Sequence, residues 1–254
     1  MNAAIDARID ARIDATFEPS AQPALGVIDL LLRDRAAILA RIRAGTGVPA
    51  LLRAMIGTIA VTMTIVGAAL GSYRGGIQIA YAAIKLPLVL LGTAALSAPA
   101  LSAIGAALGR RSRLAADITL VMAALAFGSL LLVACTPLIM LGREMDLEYH
   151  RMILATVVMF SIAGVAALRV IWRAVALEAA PGWRTAIAGM CAVFALVGGQ
   201  LSWALRPYLV RPRAPEAPFV RAVEGSLFDS ISDELDSARG IYTRDSAPLP
   251  DVRQ

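Results

Sequence analysis

Lys85 is the only lysine in a chain of 254 residues, and it stands inside an apolar run, "AYAAIKLPLVLLG", two residues before Pro87. An ammonium at bilayer depth costs a few kcal/mol even on the lenient insertion scale, roughly 2.5–3.5 at a helix centre. Acceptors must therefore lie close by. Proline lacks an N–H, so Pro87 and Pro137 each free the carbonyl four residues back, those of Ala83 and Val133. Lys85 begins about nine residues into its helix, roughly 13 Å at 1.5 Å per residue, which sets it near the midplane. An antiparallel hairpin turning at Arg110–Arg111 brings Lys85 level with Thr136 and Pro137, and Gln200 enters from the same half of the bilayer. Such a cluster can do one of two things. Broken helices with polar side chains hold ions or small solutes. Alternatively, the lysine snorkels to the interface or clips three helices together. No carboxylate stands at that level, which favours the structural role over proton-coupled transport.

Catalytic apparatus is not expected. The chain has no P-loop, no G-x-S-x-G and no HExxH, and its single histidine, His150, has no second His or Cys near it to share a metal. The one acidic residue inside an apolar run, Asp117, follows "RRSR" by one turn, where arginines and interfacial water can satisfy it. The expectation is thus a non-enzymatic protein with no metal and no cofactor.

The elements that position these residues are long apolar runs. Hydrophobic residues make up 58% of the chain and charged ones only 17%, against about 45–50% and 25% in soluble domains. Five segments, near 54–72, 77–108, 115–141, 151–172 and 185–205, are long enough to cross ~30 Å of hydrocarbon as helices. The fold expected is all-α: an integral membrane bundle of about five transmembrane helices, with an amphipathic helix at each terminus. A sixth span, made by splitting the second at Pro99, is the alternative. Residues 1–25 carry acid and base but no apolar h-region, which excludes a cleavable secretory signal.

Arginine placement orients the spans. Arg33, Arg35, Arg41, Arg43, Arg53, Arg110, Arg111, Arg113, Arg169, Arg173 and Arg184 fall on one side; Arg74, Arg143, Arg151, Arg206, Arg211 and Arg213 fall on the other. The N-terminus is therefore expected in the cytoplasm. Trp172 and Trp183 mark the inner interface, and Tyr73, Tyr149, Trp203 and Tyr208 the outer one. The arginine-rich, alanine-rich composition points to a GC-rich bacterial source, hence to the inner membrane. The net charge of +5 is loop charge of this kind, so no nucleic-acid partner is expected. Cys135 and Cys191 lie nearer opposite faces, too far apart for a disulfide.

Four regions follow. Residues 1–25 are a tail bearing the repeat "IDAR", "IDAR", "IDAT", either disordered or able to pair as strands. Residues 26–45 form an amphipathic helix, with Ile28, Leu31, Leu32, Leu39 and Ile42 near helical spacing and arginines between, suited to an anionic leaflet or, alternatively, to packing on the bundle as an ordinary helix. Residues 50–208 hold the spans. Residues 209–254 combine a proline-rich stretch with "GSLFDSISDELDSARG", whose apolar stripe and acidic face suit a protein partner. Paired glycines in "GAALG", at 67–71 and 105–109, and Gly198 with Gly199 beside Gln200 fit close helix approach.

Two stretches together carry a likeness. "SYRGGIQIAYAAIKLPLVLLGTAALSAPAL" resembles the lysine-proline span of a bacterial membrane-protein family loosely related to the Yip1 domain, and "GGQLSWALRPYLVRP" resembles the stretch closing its last span. The matching positions are Lys85, Pro87, Gln200, Trp203, Arg206 and Pro207, and the likeness covers roughly residues 55 to 212. It implies about five spans and a cytoplasmic N-terminus. Eukaryotic members contact small GTPases, but their "DLYGP" signature is missing here, so no GTPase partner is implied. The function expected is a scaffold or assembly factor of the inner membrane, working in the lipid bilayer with a protein partner or as a homo-oligomer. The alternative is a small transporter or channel with Lys85, Thr136 and Gln200 around its site.

Overall fold

The computed structural model describes residues 23–107, 114–176, 183–205, 208 and 219–220, and among these there are eight helices and no strand. They are α1 (Pro23–Arg33), α2 (Arg35–Ala44), α3 (Val48–Gly71), α4 (Gln78–Ala107), α5 (Leu114–Ala134), α6 (Thr136–Glu144), α7 (Tyr149–Ala176) and α8 (Trp183–Ala204). Five stretches are long and apolar enough to cross a membrane: α3, α4, α5 continued by α6, α7 and α8. The chain is a multi-pass α-helical membrane protein. Pro87 and Pro99 both lie inside the unbroken α4, so the six-span division at Pro99 does not occur. Instead the break falls in the third span. There Cys135 caps α6, and the Leu138 amide turns back to the Cys135 carbonyl at 3.0 Å because Pro137 has no N–H to give.

The helices are not equivalent. In the most apolar stretches of α3 and of α5–α6, 61% of residues are buried, against 17% in α7 and 11% in α8. So α3 and α5 form the centre. Along α3, Met55, Ile59, Met63 and Val66 recur at three- and four-residue steps and are almost fully buried. α7 buries Met152, Ala163, Ala167, Val170, Ala174 and Val175, and turns Leu154, Val157, Val158, Ile162 and Val165 outward. In a bilayer that outward face meets lipid.

Packing follows residue size. α3 and α4 are joined by a short turn in which Gly75 (φ 85°) and Gly76 (φ 59°) adopt left-handed backbone that other residues resist. Two glycines then let these helices touch backbone to backbone. A Cβ on Gly71 would sit 2.7 Å from the Ile79 Cα, and one on Gly67 2.8 Å from the Ala83 Cα. The first "GAALG" is thus a true clasp; the second reaches into residues outside those described. On the other side of α4, Gly198 of α8 lies against Thr93, and Gly128 of α5 lies against Ala163 and Ala167 of α7.

Residues 26–45, expected as one helix, divide at Asp34, whose carboxylate accepts from the Ala37 amide at 3.1 Å and so caps α2. Most of the apolar stripe is taken up by protein, but Leu32 stays exposed and Ile28 half-buried. Val27, Leu31, Ile38 and Ile42 join the main core with Leu51 and Met55, and Leu39 meets Leu120, Ala174 and Ile187. Arg35 lies over the Phe127 ring at 4.6 Å and Arg43 donates to the Ala174 carbonyl at 2.8 Å, so α2 runs lengthwise along α5. The N-terminal repeat, the second turn "GRRSR" and the acidic C-terminal stretch lie outside the described residues.

Candidate functional site at a buried lysine

The bundle has two distinct ends. At one, Tyr73 donates to the Leu147 carbonyl (2.8 Å) and stands 6.5 Å from Tyr149, with Tyr208 joined to the same end through Gln78. At the other, Arg43 reaches α7. Tyr73, Tyr149, Trp203 and Tyr208 thus share one end of the bundle, and Cys135 and Cys191, both free thiols, lie toward opposite ends.

Lys85 belongs to the aromatic end. It is seven residues after Gln78, two turns or about 10 Å along α4, and on the same helical face. Both side chains are fully buried. Two described residues beyond α8, Tyr208 and Phe219, lie against them. Gln78 Nε2 donates to the Tyr208 carbonyl at 3.1 Å, and the Tyr208 hydroxyl donates to the Ser202 carbonyl at 3.0 Å. Phe219 then covers the lysine: its ring centre is 4.9 Å from Nζ, and it meets Tyr81 edge-on at 5.0 Å. A cation over an aromatic face is attracted by the ring quadrupole, by about 2 kcal/mol where water is excluded. Burial also pushes the Tyr208 phenol above its ordinary value, more than its contact with Ser202 lowers it.

Register along α4 fixes where the other expected residues stand. Gly198 faces Thr93 and Leu201 faces Gly92, so the antiparallel α8 ends level with Lys85. The lysine is therefore nearer the end of the bundle than the midplane placement expected from sequence. Gln200, half-buried, lies level with Gly92 and Thr93, roughly 10 Å deeper than Lys85. Thr136 heads α6, four residues before Met140, whose sulfur receives the Ser72 hydroxyl at 3.7 Å. That sets Thr136 within about a turn of Lys85 in depth, on a helix packed against α3, α5 and α7. The three candidates share one half of the bundle without converging on one point. Of the motif residues, Pro87 lies inside α4, Pro137 opens α6 and Trp203 is half-buried near the end of α8. Arg206 and Pro207 fall outside the described residues.

What continues from Lys85 is a polar row on α4 that the sequence reading passed over. Thr93 (1% exposed) and Ser97 (0%) follow it one turn apart. In the other spans, Thr58, Thr62, Thr119, Ser129 and Thr156 return their hydroxyls to their own helix at 2.6–2.9 Å. That is how hydroxyls are satisfied in hydrocarbon. Thr93 Oγ1 and Ser97 Oγ do not, and neither has a partner among the described residues; Thr136 Oγ1 shares that condition. A signal was present in the sequence. Gln78, Lys85, Thr93 and Ser97 recur at steps of seven, eight and four, the spacing of one drifting helical face.

Neither a known family model, a curated protein nor a solved structure matches the chain. The Yip1-like reading therefore rests on the six quoted positions alone, two of them outside the described residues.

Proposed function

We propose that this protein is a small transporter or channel of the bacterial inner membrane, with its N-terminus in the cytoplasm and its solute site on the polar face of α4. One observation carries the reading. A fully buried lysine shares its helix face with two buried hydroxyls, Thr93 and Ser97, that have no partner among the described residues. Unmet hydroxyls in a water-free interior cost about 1–3 kcal/mol each, and a passing solute or water restores the missing bonds. Lys85 sets the sign of the site: it disfavours cations and admits anions or neutral polar molecules.

Proteoliposomes test this directly. Stopped-flow light scattering should show faster re-swelling in urea or glycerol, or dissipation of a potassium chloride gradient with valinomycin present. Lys85→Met should abolish that flux while the protein remains folded and monodisperse. Flux unchanged in Lys85→Met, with stability equal or higher, would return the lysine to a structural role. The membrane orientation has its own test in a cysteine-free background. An impermeant thiol reagent applied to intact cells should label Glu148→Cys and not Ser112→Cys.

The scaffold reading has one structural observation in its favour: Gln78 and Lys85 hold the chain after α8 against the start of α4. On that reading the lysine anchors a tail for partners, and Phe219→Ala, not Lys85→Met alone, is the variant that releases it.

A further inference from the structure

Away from the lysine, α3, α4 and α5 enclose a cavity of about 450 Å³ at the Arg43 end of the bundle. Its origin is the same helix pair that the glycines clasp. At the Tyr73 end α3 and α4 touch through Gly67 and Gly71. Toward the other end α4 presents Ala94, Ala95 and Ala98 opposite Leu52 and Ile56, and these methyl groups are too short to fill the space. The volume falls within the range of about 300–1,000 Å³ typical of small-molecule pockets.

Two further features identify the occupant. Ile56 (40% exposed) and Ala95, exposed as well, form the rim on the outer surface of the spans, so the cavity opens sideways into hydrocarbon. The walls are otherwise apolar, and water would not fill them, since a buried water needs two to four polar partners. Among the described lining residues Asp117 is the one carboxylate, 4% exposed and in the first turn of α5. An alkyl chain suits the alanine wall. A carboxylate at its polar end suits a head that donates hydrogen bonds and carries positive charge.

We propose that this cavity binds one phospholipid with an ethanolamine head, its acyl chain along Ala94, Ala95 and Ala98 and its ammonium on Asp117. A choline head carries the same charge but has no N–H to donate, so the site discriminates between the two. A hydrogen bond to a charged group contributes about 1.5–3 kcal/mol, a preference of roughly tenfold or more.

Native mass spectrometry of the purified full-length chain reads this out, with palmitoyl-oleoyl-phosphatidylethanolamine and the matching phosphatidylcholine titrated in turn. The wild-type protein should retain one ethanolamine lipid, roughly tenfold more tightly than the choline lipid. Asp117→Asn should bring the two to parity. Ala98→Phe should fill the cavity and lose both, and Ala95→Phe, at the rim, does the same should the first variant not fold. Equal retention of the two lipids by the wild type overturns the proposal, as does undiminished retention in a folded cavity-filling variant.

Discussion

The two ends of α4 solve the same problem in opposite ways. Each buries an ionisable side chain next to a run of small residues. At the Tyr73 end the small residues are glycines on the partner helix, so backbones meet, and the ammonium of Lys85 is covered by Phe219. At the Arg43 end the small residues are alanines on α4 itself, facing Leu52, Ile56 and Val121, and a cavity remains with Asp117 in its wall. A glycine removes the obstacle to contact. An alanine that nothing larger opposes leaves a gap. Small residues are thus not one signal but two, separated only by what the facing helix supplies.

Substitutions that reverse this contrast should have graded effects. The largest belongs to the clasp. Gly67→Leu drives a side chain into the α4 backbone near Ala83, which cannot yield, and should cost about 3 kcal/mol or more. Thermal unfolding in detergent should show a lower midpoint than for Gly198→Leu, whose neighbour is the movable Thr93 side chain. Phe219→Ala comes next. It removes the ring over Lys85 and the edge contact with Tyr81, with an expected loss of about 2 kcal/mol and new protection-free amides near Gln78 by hydrogen exchange.

Filling the other end should do the reverse. Ala98→Leu enters open space and should be neutral or stabilising by about 1 kcal/mol, so a midpoint lowered by as much as that of Gly67→Leu would erase the distinction between clasp and cavity. The smallest effect is a pH dependence. Tyr208 holds its proton above the ordinary phenol value near 10 because it is buried. As pH rises past that value the unfolded chain loses the proton while the folded chain keeps it, so stability falls until the folded phenol also ionises. Midpoints recorded from pH 8 to 11 should decline more steeply for the wild type than for Tyr208→Phe.

The sequence by itself determined the all-helical class and the long apolar spans, with five as the expected number and six as the alternative, and it placed Lys85 inside one of them. Apolar length and a charge inside it are local properties, and hydrocarbon leaves no other way to satisfy a backbone. It also marked Gly67 and Gly71 as points of approach, where a Cβ would meet the backbone of the neighbouring helix. Other features are relations between distant segments, and only the tertiary structure decided them. Pro99 stays within a helix while Pro137 begins one, because α4 has α3 and α8 to hold it and the third span breaks at Cys135. Lys85 finds Phe219, 134 positions away, rather than a common centre with Thr136 and Gln200, because the α4–α8 register ends at the lysine. Thr93 and Ser97 are buried with hydroxyls that find no partner among the described residues, which spacing alone does not record. The cavity beside Asp117 depends on three helices at once, and no single segment carries its outline.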